Sequence, residues 1–162
     1  MFKLKNKKKK ITITYEIPEG YEFNEKALSF DNIFKKKNIE PIIRWVNGDV
    51  EINVDGEHFL LDASNPTAVC NWNIAKRYCK NIFFNDKEGQ LPTINQLKVI
   101  VKYFDKINDV INENNGYPLN RGWYWTCEEK NEFCAWYVTM DDGNPGNFNK
   151  LSPYYVRSVC PL

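Results

Sequence analysis

Apolar and polar residues alternate along the first third of the chain. The run ITITYEI, which starts at Ile11, has the two-residue period of a strand, and PIIRWV, VEINV and HFLL continue the pattern. Asn47-Gly48 and Asp55-Gly56 separate the later runs, and both dipeptides favour the positive φ angles of tight hairpins. We therefore predict a small β-meander over residues 11–61, with NIFKKK as a further short strand.

Helical spacing replaces this alternation after residue 62. Apolar residues recur every three to four positions from Thr67 to about Asn81, which predicts a first helix beginning near Pro66 and Thr67. A second helix is predicted over residues 93–113. Thr93 and Gln96 have the spacing of a capping box, and NNG at residues 114–116 is typical of a helix end. Its apolar face predicts packing against a sheet that contains Trp136 and Val138, through Leu97, Ile100, Val101 and Phe104.

Strand-like runs return after Gly116. They are WYWTC, FCAWYVTMD and YYVRSVCPL, all rich in aromatic and β-branched residues. The segment DDGNPGNFNKLSP between the last two is polar and rich in Gly, Pro and Asn, so we predict a loop there. The order of strands, two helices and strands predicts an α+β fold.

Composition excludes several classes of protein. The chain has 162 residues and a formal charge of +1, so no excess of basic charge points to nucleic acid or a membrane surface. The basic start MFKLKNKKKK is followed by an alternating run and not by a long apolar one, so we expect no signal peptide, synthesis in the cytoplasm and no membrane insertion.

The reactive residues do not form a catalytic pattern. Five cysteines include no CxxC motif, and His58 is the single histidine, so we expect free thiols, no metal site, no cofactor and no enzyme activity. Asp141, Asp142, Asn144 and Asn149 are oxygen donors, but they lack the spacing of an EF-hand calcium loop.

Several motifs resemble one bacterial and phage family. In chain order they are LPTINQLK, YWTCEE, AWYVTMDDGN, Lys150 and YYVRSV. This family is labelled either a domain of unknown function or the C-terminal domain of a collagen-like adhesin. The resemblance covers residues 64–162. It implies a C-type-lectin-like domain over residues 62–162, with two helices and a small antiparallel sheet, preceded by the β segment or docking region 1–61.

The family has known relatives, and this sequence differs from the family at several positions. The family is related to formylglycine-generating enzymes and to the variable proteins of diversity-generating retroelements. Cys127 stands where the family has a small hydroxyl residue, and the Glu-Pro-Asn and Trp-Asn-Asp motifs of calcium-dependent lectins are absent. The implied fold would bring Cys79 near Cys160. Cys127 and Cys134 flank a six-residue connection, which predicts that they lie across a hairpin, and we expect both pairs to be reduced because no signal peptide is expected.

The candidate binding surface is the stretch AWYVTMDDGNPGNFNK. A stiff strand, Ala135–Met140, is followed by amides and carboxylates beside aromatic rings, a combination that suits sugar hydroxyls or a polar protein surface. The predicted ligand-binding residues are Tyr124, Asp141, Asp142, Asn144, Asn147, Phe148, Asn149 and Tyr154. The alternative is a simple hairpin turn with no ligand.

Neighbouring residues are expected to be structural. We predict that Trp125 and Trp136 are buried, that Tyr124 or Tyr137 faces outward, and that Arg157 braces a carboxylate such as Glu128. Lys150 fits either a structural or a binding role.

Three functions remain open. The first is a recognition module of the adhesin or receptor-binding type, which binds a glycan or a surface protein of a target cell. The second is a structural subunit of a virion or appendage, whose same face docks to neighbouring subunits of a phage particle. The third is a protein diversified by a retroelement, since the Asn and Tyr codons suit adenine-directed mutation.

Overall fold

The computed structural model describes residues 2–6, 9–13, 21–23, 34–36 and 40–162. The chain divides into two compact units, Met1–Ile39 and Glu40–Leu162. The described part of the first unit forms two antiparallel pairs, Phe2–Asn6 with Lys9–Ile13 and Tyr21–Phe23 with Phe34–Lys36. Residues 14–17 of the alternating run and the turn at 18–20 lie outside the described residues.

The described residues form fifteen strands and three helices. The strands are β1 (Phe2–Asn6), β2 (Lys9–Ile13), β3 (Tyr21–Phe23), β4 (Phe34–Lys36), β5 (Ile42–Val46), β6 (Asp49–Val54), β7 (Glu57–Asp62), β8 (Ala68–Cys70), β9 (Phe83–Phe84), β10 (Lys87–Glu88), β11 (Trp123–Glu129), β12 (Cys134–Thr139), β13 (Pro145–Asn149), β14 (Tyr154–Val156) and β15 (Val159–Pro161). The helices are α1 (Trp72–Lys80), α2 (Ile94–Lys102) and α3 (Phe104–Glu113).

Among the described residues, only the part of the predicted meander after residue 41 forms a meander, as three strands of a four-stranded antiparallel sheet with the order β15-β7-β6-β5. Both predicted hairpin turns are confirmed. Asn47 and Gly48 have φ angles of 51° and 98°, and Asp55 and Gly56 have φ angles of 53° and 84°. Two successive positive φ angles are the geometry that the right-handed twist of paired strands requires.

A second sheet has five strands in the order β13-β12-β11-β14-β8. Its pairs are antiparallel except for β11 with β14, which run parallel. The strand β13 occupies part of the segment predicted as a loop, so that prediction is wrong for residues 145–149. An edge strand bonds to a neighbour on only one side, which is why Pro and Gly are tolerated there.

The first predicted helix begins later than expected, and the second is two helices. Residues 68–70 pair with β14 as β8, and α1 begins after Asn71, whose side-chain oxygen accepts a hydrogen bond from the Ile74 amide at 3.0 Å. The second predicted helix is divided at Tyr103 into α2 and α3. The capping box of Thr93 and Gln96 is confirmed, with both reciprocal hydrogen bonds present.

Three apolar clusters pack in the second unit, and two of them, a larger and a smaller one, lie against the five-stranded sheet. The larger contains Leu97, Ile100 and Phe104 together with Val138 of β12, which confirms most of the predicted helix–sheet contact. Val101 packs at its margin, whereas Trp136 is half-buried and lies outside it. The smaller cluster lies on the opposite face of the five-stranded sheet, under α1.

The predicted C-type-lectin-like domain is contradicted by this architecture. The described residues are mostly β, with three helices and several sheets in place of two helices and one small antiparallel sheet. The sequence pattern misses this because short strands such as β8 and β13 are specified by the neighbours they pair with and not by their own apolar period.

Candidate functional site

The acidic part of the predicted site closes a tight turn. The Asp142 carboxylate accepts a hydrogen bond from the Asn144 backbone amide at 3.1 Å and another from the Asn144 side-chain amide at 2.6 Å. Gly143, with φ of 74°, donates its amide to the Thr139 carbonyl. The exposed Asp141 carboxylate accepts from the Thr139 hydroxyl at 3.5 Å. The predicted residues Asp141, Asp142 and Asn144 therefore shape the β12–β13 turn.

The register of β13 divides the remaining predicted residues between two faces. Phe148 lies opposite Ala135, whereas Asn147 and Asn149 lie opposite Trp136 and Cys134. Because successive side chains of a strand point to opposite faces, Phe148 is on one face of the sheet and the two asparagines are on the other.

Tyr124 lies inside the protein. Its side chain is fully buried, and its hydroxyl donates to the Asn120 carbonyl and accepts from the Asn120 amide, both at 3.0 Å. The predicted ligand contact of Tyr124 is incompatible with this burial. Of the two alternatives considered for an outward tyrosine, Tyr137 is the more exposed.

Four aromatic rings meet on the face that carries Phe148. We call Trp123, Tyr137, Phe148 and Tyr154 the aromatic platform. Tyr154 lies at its centre, with ring centroids 5.2 Å from Trp123, 5.2 Å from Tyr137 and 6.1 Å from Phe148. Trp123 also stacks on Tyr137 at 5.6 Å. Edge-to-face and offset contacts at these distances are the arrangements that aromatic rings prefer.

The platform combines exposure with firm support. Trp123 and Phe148 are 49% and 52% exposed, whereas Tyr154 is nearly buried against the fully buried Trp125 at 4.5 Å. Helix α1 covers the adjoining part of the same face, where the Trp72 indole donates to the Thr126 carbonyl at 2.8 Å. The platform is thus the part of this face that α1 leaves uncovered.

A glycine sets the position of one ring. Tyr137 lies opposite Gly146, and a Cβ atom on Gly146 would stand 2.4 Å from the Tyr137 hydroxyl oxygen. Only a residue without a side chain therefore lets the tyrosine lie against the edge strand.

A groove of about 460 Å³ adjoins the platform. It is lined by Val69, Arg121, Gly122, Trp123, Pro153, Tyr154 and Tyr155. Gly122, with φ of 131°, packs so closely on the Tyr155 ring that a Cβ would approach it to 2.7 Å. The Arg121 guanidinium lies 4.5 Å from the Phe104 ring centroid and donates to the Met140 carbonyl at 3.0 Å. The volume of the groove is within the range of small-ligand sites.

Lys150 has a structural role. Lys150 is nearly buried, pairs with Glu129, donates to the Glu132 carbonyl at 2.8 Å and lies over the Trp72 ring. This ion pair lowers the pKa of Glu129.

Arg157 does not brace Glu128, so that prediction is wrong. Its guanidinium donates to four backbone carbonyls and to the Thr67 hydroxyl. Glu128 instead accepts a hydrogen bond from the Ile94 amide at the start of α2, at 2.9 Å. A carboxylate at a helix N-terminus is favoured by the helix dipole.

Other chemistry-bearing residues lie apart from the platform. Within residues 40–162 and the short described strands before them, no group of three or more His, Cys, Asp or Glu is placed to hold a metal ion. His58 pairs with Glu51 on the neighbouring strand at 3.0 Å. All five cysteines are free thiols, and burial raises the pKa of Cys79 to about 12. No helix in the described ranges is long and apolar enough to cross a membrane.

Comparison with models of known protein families shows to which family the chain belongs. Residues 43–160 match the model described as the Lcl C-terminal domain. The chain belongs to the Lcl C-terminal domain family. The match begins in β5 and ends in β15, so the Lcl C-terminal domain includes both large sheets and all three helices. No curated protein matches the chain.

Sequence reasoning found only part of the surface that this Lcl C-terminal domain presents. Phe148 and Tyr154 are among the predicted ligand-binding residues. Trp123 was expected to pack in the core like the other tryptophans, and Tyr137 was one of two candidates for an outward tyrosine. Val69, Arg121 and Pro153 in the groove carried no signal. In the run WYW the outer two rings point to one face of the sheet and the middle ring to the other. Which of these faces is buried depends on how β11 pairs with β12 and β14, and a single sequence does not reveal that pairing.

Proposed function

We propose that this Lcl C-terminal domain is a non-enzymatic recognition module of the adhesin type, which binds a glycan on the surface of a target cell through the aromatic platform. The observation that carries the proposal is the half-exposed Trp123 ring, held by Tyr137 and Tyr154 on an otherwise well-packed sheet.

The chemistry of the platform favours a sugar ring as ligand. Flat aromatic faces pack against the apolar C–H faces of sugars, and adjacent polar groups bond to the hydroxyls. The groove supplies Arg121 next to Trp123, and the turn supplies the exposed Asp141 carboxylate after Met140. The rings are fixed before binding, so little conformational entropy is lost on association.

The decisive experiment compares two exposed aromatic residues. Trp123→Ala removes the half-exposed ring on which the proposal rests, whereas Phe83→Ala removes a ring that is 60% exposed on the separate β9–β10 pair. Labelled full chain is applied to a printed oligosaccharide array and to bacterial and animal cells. We expect Trp123→Ala to weaken binding by at least about tenfold, which corresponds to about 1.4 kcal/mol, and Phe83→Ala to bind like the parent.

Two results would contradict this function. One is unchanged binding by Trp123→Ala at an unchanged melting temperature. The other is the absence of parent binding to any glycan or cell tested.

A second candidate is a structural subunit of a virion or appendage that docks through the same face. It is supported by exposed apolar side chains on and after β13, since Phe148 is 52% and Leu151 is 75% exposed. In that case Trp123→Ala would block particle assembly while the parent ignored the sugar array.

A further inference from the structure

The outermost strand of the five-stranded sheet has an open side. Strand β13 pairs with β12, and in the described part of the chain no other strand pairs with it. Its sequence PGNFN contains no charged residue. Charged side chains commonly protect natural edge strands from pairing with another strand. The uncharged edge of β13 lacks this protection, so a further strand can pair with it.

The hydrogen bonds at both ends of β13 show which backbone groups face outward. The Thr139 amide donates to the Asn144 carbonyl at 3.2 Å, and the Lys150 amide donates to the Phe133 carbonyl at 2.9 Å. Since bonded positions alternate along an antiparallel ladder, Gly146 and Phe148 also face β12. The backbone of Pro145, Asn147 and Asn149 therefore faces away from the sheet.

These outward groups match a second copy of themselves. Pro145 has no N–H, and the Asn149 carbonyl already accepts from the Ser152 amide at 3.0 Å. Two donors remain, on Asn147 and Asn149, and two acceptors remain, on Pro145 and Asn147. In antiparallel pairing centred on Asn147, each Asn147 amide meets the other Asn147 carbonyl and each Asn149 amide meets a Pro145 carbonyl. Every outward group then has a partner.

The side chains fit the same arrangement. Pairing centred on Asn147 places Phe148 opposite Gly146 of the second copy, at a position where side chains approach closely. Phe148 is half-exposed, and Gly146 is the residue against which the Tyr137 ring lies. The phenylalanine would therefore cover a glycine and meet that tyrosine, an aromatic cross-strand contact that stabilises glycine-containing edges.

From these matches we propose that β13 is a self-association site, at which two copies of this chain pair antiparallel about a twofold axis that passes between their Asn147 residues. The axis is perpendicular to the joined sheet, so both aromatic platforms lie on one face. Such a dimer would present two recognition surfaces to the same target, which raises avidity without a new ligand contact. The pairing itself does not depend on which ligand the platform binds.

Charged substitutions of Asn147, next to the twofold axis, test the proposal. Asn147→Lys and Asn147→Asp each place two like charges directly opposite one another in a homodimer. Sedimentation velocity over micromolar to millimolar concentrations should show that the parent dimerises and that each variant alone is monomeric, with a dissociation constant raised at least about tenfold. An equal mixture of the two variants should dimerise again. The matched control is Asn73→Lys on the exposed side of α1, which should dimerise like the parent.

A second measurement uses the unmodified chain. Amide hydrogen exchange at Asn147 and Asn149 should slow at dimer-forming concentrations, whereas exchange at the exposed Asn131 should not. The proposal is overturned by a parent that stays monomeric, by a dimer that survives either charge variant, by a mixture that stays monomeric, or by exchange at Asn147 and Asn149 that is independent of concentration.

Discussion

Asp49 and Asp62 lie directly opposite each other on β6 and β7. Burial, and next the neighbouring Asp62 carboxylate, raise the pKa of Asp49 from 3.8 to about 7. Burial also raises the pKa of Asp62, against the opposing effects of its hydrogen bond with Asn65 and of the Arg157 charge. Two carboxylates thus share a partly buried site in the four-stranded sheet.

This pair makes stability depend on pH. Asp49 holds its proton more tightly in the folded chain, where its pKa is about 7, than in the unfolded chain, where it is near 3.8. Its contribution to stability is therefore present at low pH and is lost as the pH rises through about 7. Asp49→Asn should raise the free energy of unfolding at pH 8 by about 1–2 kcal/mol, after discounting for partial exposure, and by less at pH 5.

Urea unfolding at the two pH values measures this effect. Asp55→Asn is the matched control, because Asp55 is exposed in a turn and pairs with Lys102. An equal effect of Asp49→Asn at both pH values would exclude the proposed protonation.

Arg157 is predicted to be irreplaceable by lysine. Its guanidinium joins the segments around Asp62 and Tyr117 through hydrogen bonds of 2.6–3.1 Å. An ammonium group has three donors and no planar fork, so it would leave several buried carbonyls unpaired. Arg157→Lys should cost about 3 kcal/mol or more in denaturant unfolding. Arg44→Lys, at an exposed pair with Glu51, should cost less than about 0.5 kcal/mol, and similar losses for both variants would contradict the prediction.

Leu97 anchors α2 in the larger apolar cluster. It is fully buried there, beside an exposed Lys98 on the same helix. Leu97→Ala should cost about 2–5 kcal/mol, because the cavity adds to the lost apolar burial. Lys98→Ala should stay within about 0.5 kcal/mol of the parent. A loss below about half a kcal/mol for Leu97→Ala would show that this face of α2 is not core.

Gly146→Ala tests the geometry of the platform without any ligand. The new Cβ would stand 2.4 Å from the Tyr137 hydroxyl oxygen, so the end of that ring must move away from β13, which changes its stack with Trp123. Near-ultraviolet circular dichroism should weaken while the far-ultraviolet spectrum is retained. Asn147→Ala is the control, since that side chain is on the opposite face, and equal spectra for the two variants would show that Gly146 does not position the ring.

Local chemistry explains which elements the sequence could predict. The Asn47-Gly48 turn and the Thr93–Gln96 capping box depend on a few neighbouring residues, and both are present. The start of α1 depends on a distant partner, because the preceding strand β8 pairs with β14. Strand β13 depends on its pairing with β12, the neighbouring strand of the same hairpin. Pairing energy overrode the loop-like composition of residues 145–149.

The candidate site was also predicted only in part. The segment 141–154 does carry Phe148 and Tyr154 of the platform. Its asparagines fall on the other face or in the turn, and Tyr124 is buried, because strand register decides orientation and a shift of one residue reverses every side chain.

Strand β15 has a consequence for how the protein folds. Val159 pairs with Leu61, so the four-stranded sheet joins residues that are synthesised far apart in time. A nascent chain that has emerged only as far as α3 has a meander whose outer strand β7 still lacks this neighbour. Contacts between such distant segments close slowly compared with helices and hairpins. Completion of this sheet during synthesis therefore has to wait until β15 has left the ribosome.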